Sequence, residues 1–353
     1  MTTIHWERYP QVAAVPAAYT WLTIQGDLGL ARATIEAYGR ALQDYLTFCQ
    51  AQGIVPETAT RAHLAAYVRN LTTRPHRQRP NVVHLTSGSG LANATIQQRL
   101  VAVRLFYDYL VEEGQRERNP VGRGRYTAGK GFGGRRAKGW VPRFTKLPWI
   151  PTEAQWQEIL DAACLEPVRN RLMLALAYDA GLCREELCGL RSDDLDPVHR
   201  TLRIRAESTK GRRERVVPYS IATAVLLHAY LTHRQTISRA RGPLFLSESH
   251  RNRAAPITLW TWSKVIRGLA LRAHVPQFST HTLRHLCLTD LARAGWELHA
   301  LATFAGHRNL ATTLQYIHLS GRDLAEKLTR GMAQIHTWRT QTLAGGHGTG
   351  GRT

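Results

Sequence analysis

The chain has 353 residues, a formal net charge of +21 and a pI near 10.5. The length suits two domains with separate cores, and a charge carried mostly by arginine points to nucleic acid, because guanidinium groups bind phosphate oxygens bidentately. No long apolar run, basic amphipathic helix or signal-type N-terminus suggests a membrane partner, so a cytoplasmic location is expected. Five scattered cysteines without a CxxC pair (Cys49, Cys164, Cys183, Cys188 and Cys287) signal neither a disulfide framework nor a zinc site.

Residues 1–15 have no clear period and are set aside as an N-terminal arm. From residue 16 to 120 the pattern is helical. Ile35, Tyr38, Leu42, Tyr45, Leu46 and Cys49 recur at three- and four-residue steps before Gly53, a glycine placed to close a helix. A shorter helix carries Leu64, Tyr67, Val68 and Leu71. The Pro- and Gly-containing segment Thr72 to Gly90 reads as an extended loop. A second long helix follows Asn93 with Ile96, Leu100, Val103, Phe106, Tyr107 and Leu110, ending near Gly114.

Charge is nearly balanced up to residue 115, with ten arginines against eight acids, whereas Arg116 to Lys146 holds ten basic residues and the single acid Glu117. Residues 121–148 therefore form a basic, glycine-rich linker. Its Arg135, Arg136, Lys138 and Arg143 are candidate phosphate contacts, since such cations displace counterions along a nucleic-acid backbone. Arg99 and Arg104 on the second long helix are also candidate DNA contacts, though a solvated outer face is an equal reading.

A second domain, 149–330, opens at Thr152 with a capping-box pattern to Gln155. Its helices are interrupted by Thr201–Arg205 and Glu214–Val217, which alternate apolar and polar residues around Thr209-Lys210-Gly211 and so predict a hairpin with Lys210 near its turn. Helices resume at 221–232, 259–274, 283–294 and 297–305. Gly306 then breaks the helical run, and Thr312 is the expected cap of a short helix carrying Tyr316. Residues 331–353 read as a tail. The predicted class is mainly α with a small β-hairpin.

His281 and Arg284, three apart, share one helix face, and His307 precedes Tyr316 by nine residues. A tyrosine beside Leu314 and Ile317 is ordinarily a core residue, and a histidine after glycine ordinarily a surface one. With Lys210 and Arg284 added, the set is poor for a metal, lacking carboxylate or thiolate clusters, but apt for a phosphodiester. Cations favour phenolate and neutralise a pentavalent phosphate.

In these residues, HTLRH, AGH and Tyr316 nine positions after His307, and in the helices RATIEAYGRALQDYLTF and NATIQQRLVAVRLFYDYLVEEG, the chain resembles the tyrosine recombinase (phage integrase) family over nearly all of residues 16–330. The resemblance implies a SAM-like core-binding domain and an α+β catalytic domain. It implies that Tyr316 attacks the scissile phosphate of double-stranded DNA to form a 3′-phosphotyrosyl link, and that Lys210 protonates the 5′-oxygen. His281, Arg284 and His307 would hold the non-bridging oxygens and manage protons, with neither metal, cofactor nor ATP. It further implies four protomers on two DNA sites, the tail docking on a neighbour, in a nucleoid-associated protein of bacterial or phage origin.

One position departs from the family pattern. The first catalytic arginine should follow Gly-Leu and precede a glutamate by three; Gly181-Leu182 and Glu186 fit, but Cys183 stands between them. Arg184 is displaced by one residue, about 100° around a helix. Three resolutions are open: Arg184 reaches the phosphate, another arginine such as Arg191 or Arg205 enters, or the site is impaired. Accordingly a non-catalytic DNA-binding or accessory protein is carried as the alternative, and a type IB topoisomerase-like or hairpin-resolving enzyme as a more distant one.

Overall fold

The computed structural model describes residues 3–74, 90–122, 140–142, 147–209, 211–319 and 328–333. Lys210, Arg135, Arg136, Lys138 and Arg143 lie outside the described residues, as do most of the expected loop at 72–90 and the tail from residue 334. The chain divides into two compact units, residues 1–145 and 146–353.

The first unit is all helical: α1 (Pro10–Ala14), α2 (Pro16–Asp27), α3 (Arg32–Ala51), α4 (Arg61–Thr73) and α5 (Asn93–Glu112). Pro10 and Pro16 occupy first helical positions, where a missing N–H is harmless and the fixed φ suits the helix. The predicted apolar positions of α3 and α5 form the core, with Leu42, Tyr45, Ile96, Val103 and Phe106 fully buried. Within the expected N-terminal arm, Tyr9 and Val12 are buried in this same core. An apolar pair at uneven spacing gives no periodic signal, but its burial stabilises the unit all the same.

The basic stretch also begins inside this unit. Arg116 donates to the carbonyls of Glu57 (2.7 Å) and Ala59 (2.8 Å) and lies over the Tyr107 ring. Residues 140–142 return to the unit, where the Val141 carbonyl accepts from Gln97 (3.0 Å) and the Trp140 indole donates to the Val121 carbonyl (2.6 Å). Val121, Trp140 and Val141 of the expected linker are therefore anchored in this unit.

The second unit contains α6 (Glu153–Cys164), α7 (Val168–Asp179), α8 (Arg184–Cys188), β1 (Leu195–Asp196), β2 (Thr201–Ile204), β3 (Arg215–Pro218), α9 (Ile221–Ile237), α10 (Leu259–Arg272), α11 (Thr280–Arg293), α12 (Leu298–Ala305) and α13 (Leu310–Leu319). The capping box at Thr152 and Gln155 forms as predicted. The strands make one antiparallel sheet, β1-β2-β3, with Leu202 opposite Val217 and Ile204 opposite Arg215. Among the described residues no helix is long and apolar enough to cross a membrane.

Two helix ends supply carbonyls to the polar centre of this unit. At the end of α7, Gly181 has φ +54°, with Gly181 N–H bonded to the Tyr178 carbonyl and Leu182 N–H to the Ala177 carbonyl. At the end of α12, Gly306 has φ +68°, with the same pair of bonds from Gly306 to Thr303 and from His307 to Ala302. Both are Schellman closures, which a left-handed glycine permits. The helix bearing Tyr316 is capped by Asn309, whose side chain accepts from Ala311 N–H (2.9 Å), and not by the expected Thr312.

Candidate active site

A buried carboxylate, Glu186 on α8, organises the second unit's polar centre. Arg215 grips it bidentately, Nη1 to Oε1 at 2.7 Å and Nη2 to Oε2 at 3.0 Å, and Arg284 reaches Oε2 at 3.5 Å. Burial raises the Glu186 pKa, but Arg215 and then Arg284 outweigh that and hold it below the ordinary carboxylate range. The two arginines also meet helix C-termini. Arg284 donates to the Gly181 carbonyl after α7 (2.8 Å) and to the Ala305 carbonyl, while Arg215 Nε donates to the Phe304 carbonyl (2.9 Å). Carbonyl groups left open at a helix end, carrying the negative pole of the dipole, suit cations in this way. Gly306 is required twice, for its φ and because a Cβ there would come within 3.0 Å of Arg215 Nη1.

With two arginines against one carboxylate, the cluster keeps a surplus positive charge beside Tyr316. That tyrosine is 1% exposed. Its ring lies parallel to that of His307, centroids 6.1 Å apart and planes 9° apart, and its hydroxyl is 2.9 Å from His285 Nδ1. His307 is held by the buried Thr313 hydroxyl (2.9 Å), and His281 packs edge-on against His285 at 4.3 Å. The structure thus brings together four of the sequence-predicted residues, His281, Arg284, His307 and Tyr316, with Glu186 supporting Arg284.

The electrostatics differ from expectation in one respect. Nearby cations should favour phenolate, yet the Tyr316 pKa is raised, because burial outweighs the lowering by Arg284. The same burial acts in the opposite sense on the imidazoles. His307 is lowered to about 4 by burial and then by Arg284 and Arg215; His285 is lowered to about 4 by burial and then by His281, Arg284 and His307. Both rings are neutral at pH 7.

Cys183 is the N-cap of α8. Its sulfur accepts from Glu186 N–H (3.5 Å) and its own N–H donates to the Glu186 carboxylate (2.9 Å). Burial, followed by the Glu186 charge, pushes the thiol up to about 12, so it carries no charge at pH 7. Arg184 binds Ser263 on α10 (3.2 Å) and its neighbour Glu185 (2.9 Å). Among the described residues no hydrogen bond or ion pair joins it to Glu186, Arg284, His307 or Tyr316. Arg205 is likewise paired elsewhere, with Asp194 at 2.6 Å, and Arg191 makes no bond to the cluster among the described residues.

Two members of the cluster escape sequence reasoning. Arg215 reads only as part of a strand, although alternation puts it on the same face as the buried Val217. His285 goes unassigned, although it stands four residues after His281 on one helix face. In the first unit Arg99 is not a free cation, since it pairs with Asp44 at 2.6 Å, whereas Arg104 is exposed.

Comparison with known proteins identifies related sequences and folds. The phage integrase family pattern matches residues 151–322, and the phage integrase N-terminal SAM-like domain pattern matches residues 21–114. Tyrosine recombinase XerC of Haemophilus influenzae is 32% identical over 244 residues, covering 67% of this chain and 74% of that protein. Tyrosine recombinase XerC of Haemophilus ducreyi is 30% identical over 269 residues, covering 74% and 77%. In fold, the chain is similar to the Tn1549 transposon integrase in complex with transposon right end DNA (TM-score 0.62, 17% identity, 89% of this chain and 100% of that one). It is also similar to the XerH site-specific recombinase bound to palindromic difH substrate (TM-score 0.61, 19% identity, 83% and 78%). The two family matches together, and relatives 30–32% identical over about three quarters of their own length, place this chain in the tyrosine recombinase (phage integrase) family.

Proposed function

We propose that this protein cleaves and rejoins DNA at specific sites through a 3′-phosphotyrosyl link to Tyr316. The observation that carries the reading is the packing of Tyr316 against two neutral histidines beside a doubly bonded Glu186, with Arg284 and Arg215 supplying net positive charge. In this reading the Tyr316 oxygen attacks phosphorus, and Lys210 protonates the departing 5′-oxygen. His281, Arg284 and His307 contact the non-bridging oxygens where charge develops. The covalent link conserves the ester bond, so rejoining requires no ATP. The DNA partner follows from the +21 charge, and assembly of four protomers with the tail docking in trans extends the same reading.

A duplex site is selected from a random library by gel shift with the full-length protein, then rebuilt as a nicked suicide substrate. The wild-type protein forms a covalent adduct stable to denaturant, and Tyr316→Phe forms none. An adduct that persists in Tyr316→Phe excludes the reading.

A second reading, a DNA-binding protein with impaired chemistry, is favoured by one observation: a neutral thiol caps α8 where the family places a cation, and Arg184 is engaged with Ser263 and Glu185. Loss of one preorganised donor typically costs about 10²–10³ in rate. Restoring the charge by Cys183→Arg therefore raises adduct formation by roughly that factor if the remaining geometry is competent. No gain, together with no adduct in the wild type, supports the impaired protein.

A further inference from the structure

Cys183 leaves the site without a cation at the first arginine position, and Arg184 is engaged with Ser263 and Glu185. A guanidinium reaches the same place from the sheet. We infer that Arg215, the first residue of β3, contacts a non-bridging oxygen of the scissile phosphate in place of that arginine. The inference rests on the phosphotyrosyl reading above and adds a catalytic residue to it.

Three observations converge. The Cys183 N–H and Arg215 Nη2 bond to one atom, Glu186 Oε2, at 2.9 and 3.0 Å, and Arg284 Nη1 reaches the same oxygen at 3.5 Å. Arg215 therefore borders both the Cys183 backbone and Arg284. Its guanidinium also packs against Gly306, the residue before His307, where a Cβ would lie 3.0 Å from Nη1 and 3.3 Å from Cζ. Finally, the side chains of Arg215 and Arg284 are each 8% exposed, so Arg215 is no more deeply buried than the arginine the family resemblance puts on the phosphate.

Charge and donor counts fit the role. The family's first arginine and Arg284 would set two guanidinium groups against Glu186; with a neutral thiol at Cys183, Arg215 restores that number. Arg215 spends Nε–H on the Phe304 carbonyl and one N–H of each terminal nitrogen on Glu186. Among the described residues the second N–H of Nη1 and of Nη2 bonds to no protein group, which leaves two donors for an oxyanion. The three bonds already made fix the group before substrate arrives, and a fixed donor is what stabilises developing charge without reorganisation. A guanidinium that only braces Glu186 would make the same protein contacts, so the two roles are separated by changing the charge of the substrate.

Single-turnover adduct formation is measured on the selected suicide duplex and on the same duplex with a methylphosphonate at the scissile position, which removes the charged non-bridging oxygen. The proteins are wild type, Arg215→Gln, Cys183→Arg and the double variant, with circular dichroism and gel shift to show that each folds and binds DNA. Glutamine keeps a donor to Glu186 without the charge. Arg215→Gln is expected to lose about 10²–10³ on phosphate, the usual worth of one charge-stabilising donor, and less than about tenfold on methylphosphonate. Cys183→Arg alone is expected to gain less than about tenfold, not the 10²–10³ expected of a site that lacks its cation, and in the double variant to bring adduct formation back to within about tenfold of wild type. Equal losses of Arg215→Gln on both substrates reduce Arg215 to a brace for Glu186, and a gain of about 10²–10³ from Cys183→Arg alone shows the position unfilled; either result overturns the inference. The Cys183→Arg measurement changes nothing at Arg215, so it decides the matter even where Arg215→Gln does not fold. Failure of the wild type itself to form an adduct overturns the phosphotyrosyl reading and this inference with it. An active wild type matched by Arg215→Gln overturns only the role of Arg215.

Discussion

Each unit of the molecule holds a carboxylate gripped by two arginines, and the two sites serve different ends. In the N-terminal unit Asp44 binds Arg74 at 2.5 Å, Arg99 at 2.6 Å and the Tyr67 hydroxyl at 2.7 Å. In the C-terminal unit Glu186 binds Arg215 and Arg284. Burial raises both carboxylates and their partners lower them further, so both titrate below the ordinary range. The neighbours make the difference. Around Asp44 the bonds join α3, α4 and α5; Tyr67 is bonded to Asp44 itself, and Tyr45 and Tyr107 are bonded to one another at 2.5 Å, with Tyr107 also on the Pro56 carbonyl. Around Glu186 the arginines also meet two helix C-termini and stand beside a tyrosine with two neutral histidines. A depressed carboxylate therefore does not by itself mark a functional site; in the proposed reading the tyrosine and histidines beside Glu186 are what set it apart.

Neutralising each carboxylate in turn puts this contrast under the greatest load. Glu186→Gln strips charge from a pair whose side chains are 5–8% exposed, and is expected to cost about 3–5 kcal/mol, the usual cost of breaking a buried ion pair. It should also lower adduct formation per folded molecule. Asp44→Asn keeps most of its hydrogen bonds at a site 20% exposed, and about 1–3 kcal/mol is expected. It should leave cleavage by the folded fraction unchanged. Urea titration and single-turnover cleavage on the same samples measure both. Equal losses of cleavage would erase the distinction between the two sites.

Acid should separate the units in order. His285 and His307 remain neutral in the folded protein down to about pH 4, while in the unfolded chain each takes a proton near pH 6.5. Between those values the unfolded state binds more protons, so stability is lost as pH falls from about 6.5 towards 4. Asp44 and Glu186 have depressed values; what they contribute is present above roughly pH 4 and is lost only on further acidification. Hydrogen exchange corrected for intrinsic rate should show α11 and α13 losing protection between pH 7 and pH 5 while α3 and α5 keep theirs. Simultaneous loss in all four helices would rule out this order.

The smallest effect is expected at Arg184. With its guanidinium on Ser263 and Glu185 and its side chain 38% exposed, Arg184→Ala should cost no more than about 1 kcal/mol, as for other exposed pairs, and change cleavage by less than about threefold. A hundredfold loss of cleavage with intact DNA binding would instead put Arg184 on the phosphate.

Much of this organisation is legible along the chain. The three- and four-residue apolar steps mark α3 and α5, the alternation around Lys210 marks the hairpin, Thr152 and Gln155 mark a helix start, and Gly306 marks a helix end. These are local signals, set by neighbours within about one turn or one strand pair. The spacing of His281, Arg284, His307 and Tyr316 likewise points to a phosphodiester. Which groups meet them depends on contacts that no local pattern encodes. Arg215 reaches Glu186 across 29 residues, Arg284 reaches it across 98, and His285 reaches Tyr316 across 31. Folding also sets the sign of the tyrosine's shift. Cations in the motif suggest phenolate, but the protein buries the phenol, and the cost of desolvating an anion there exceeds what Arg284 returns.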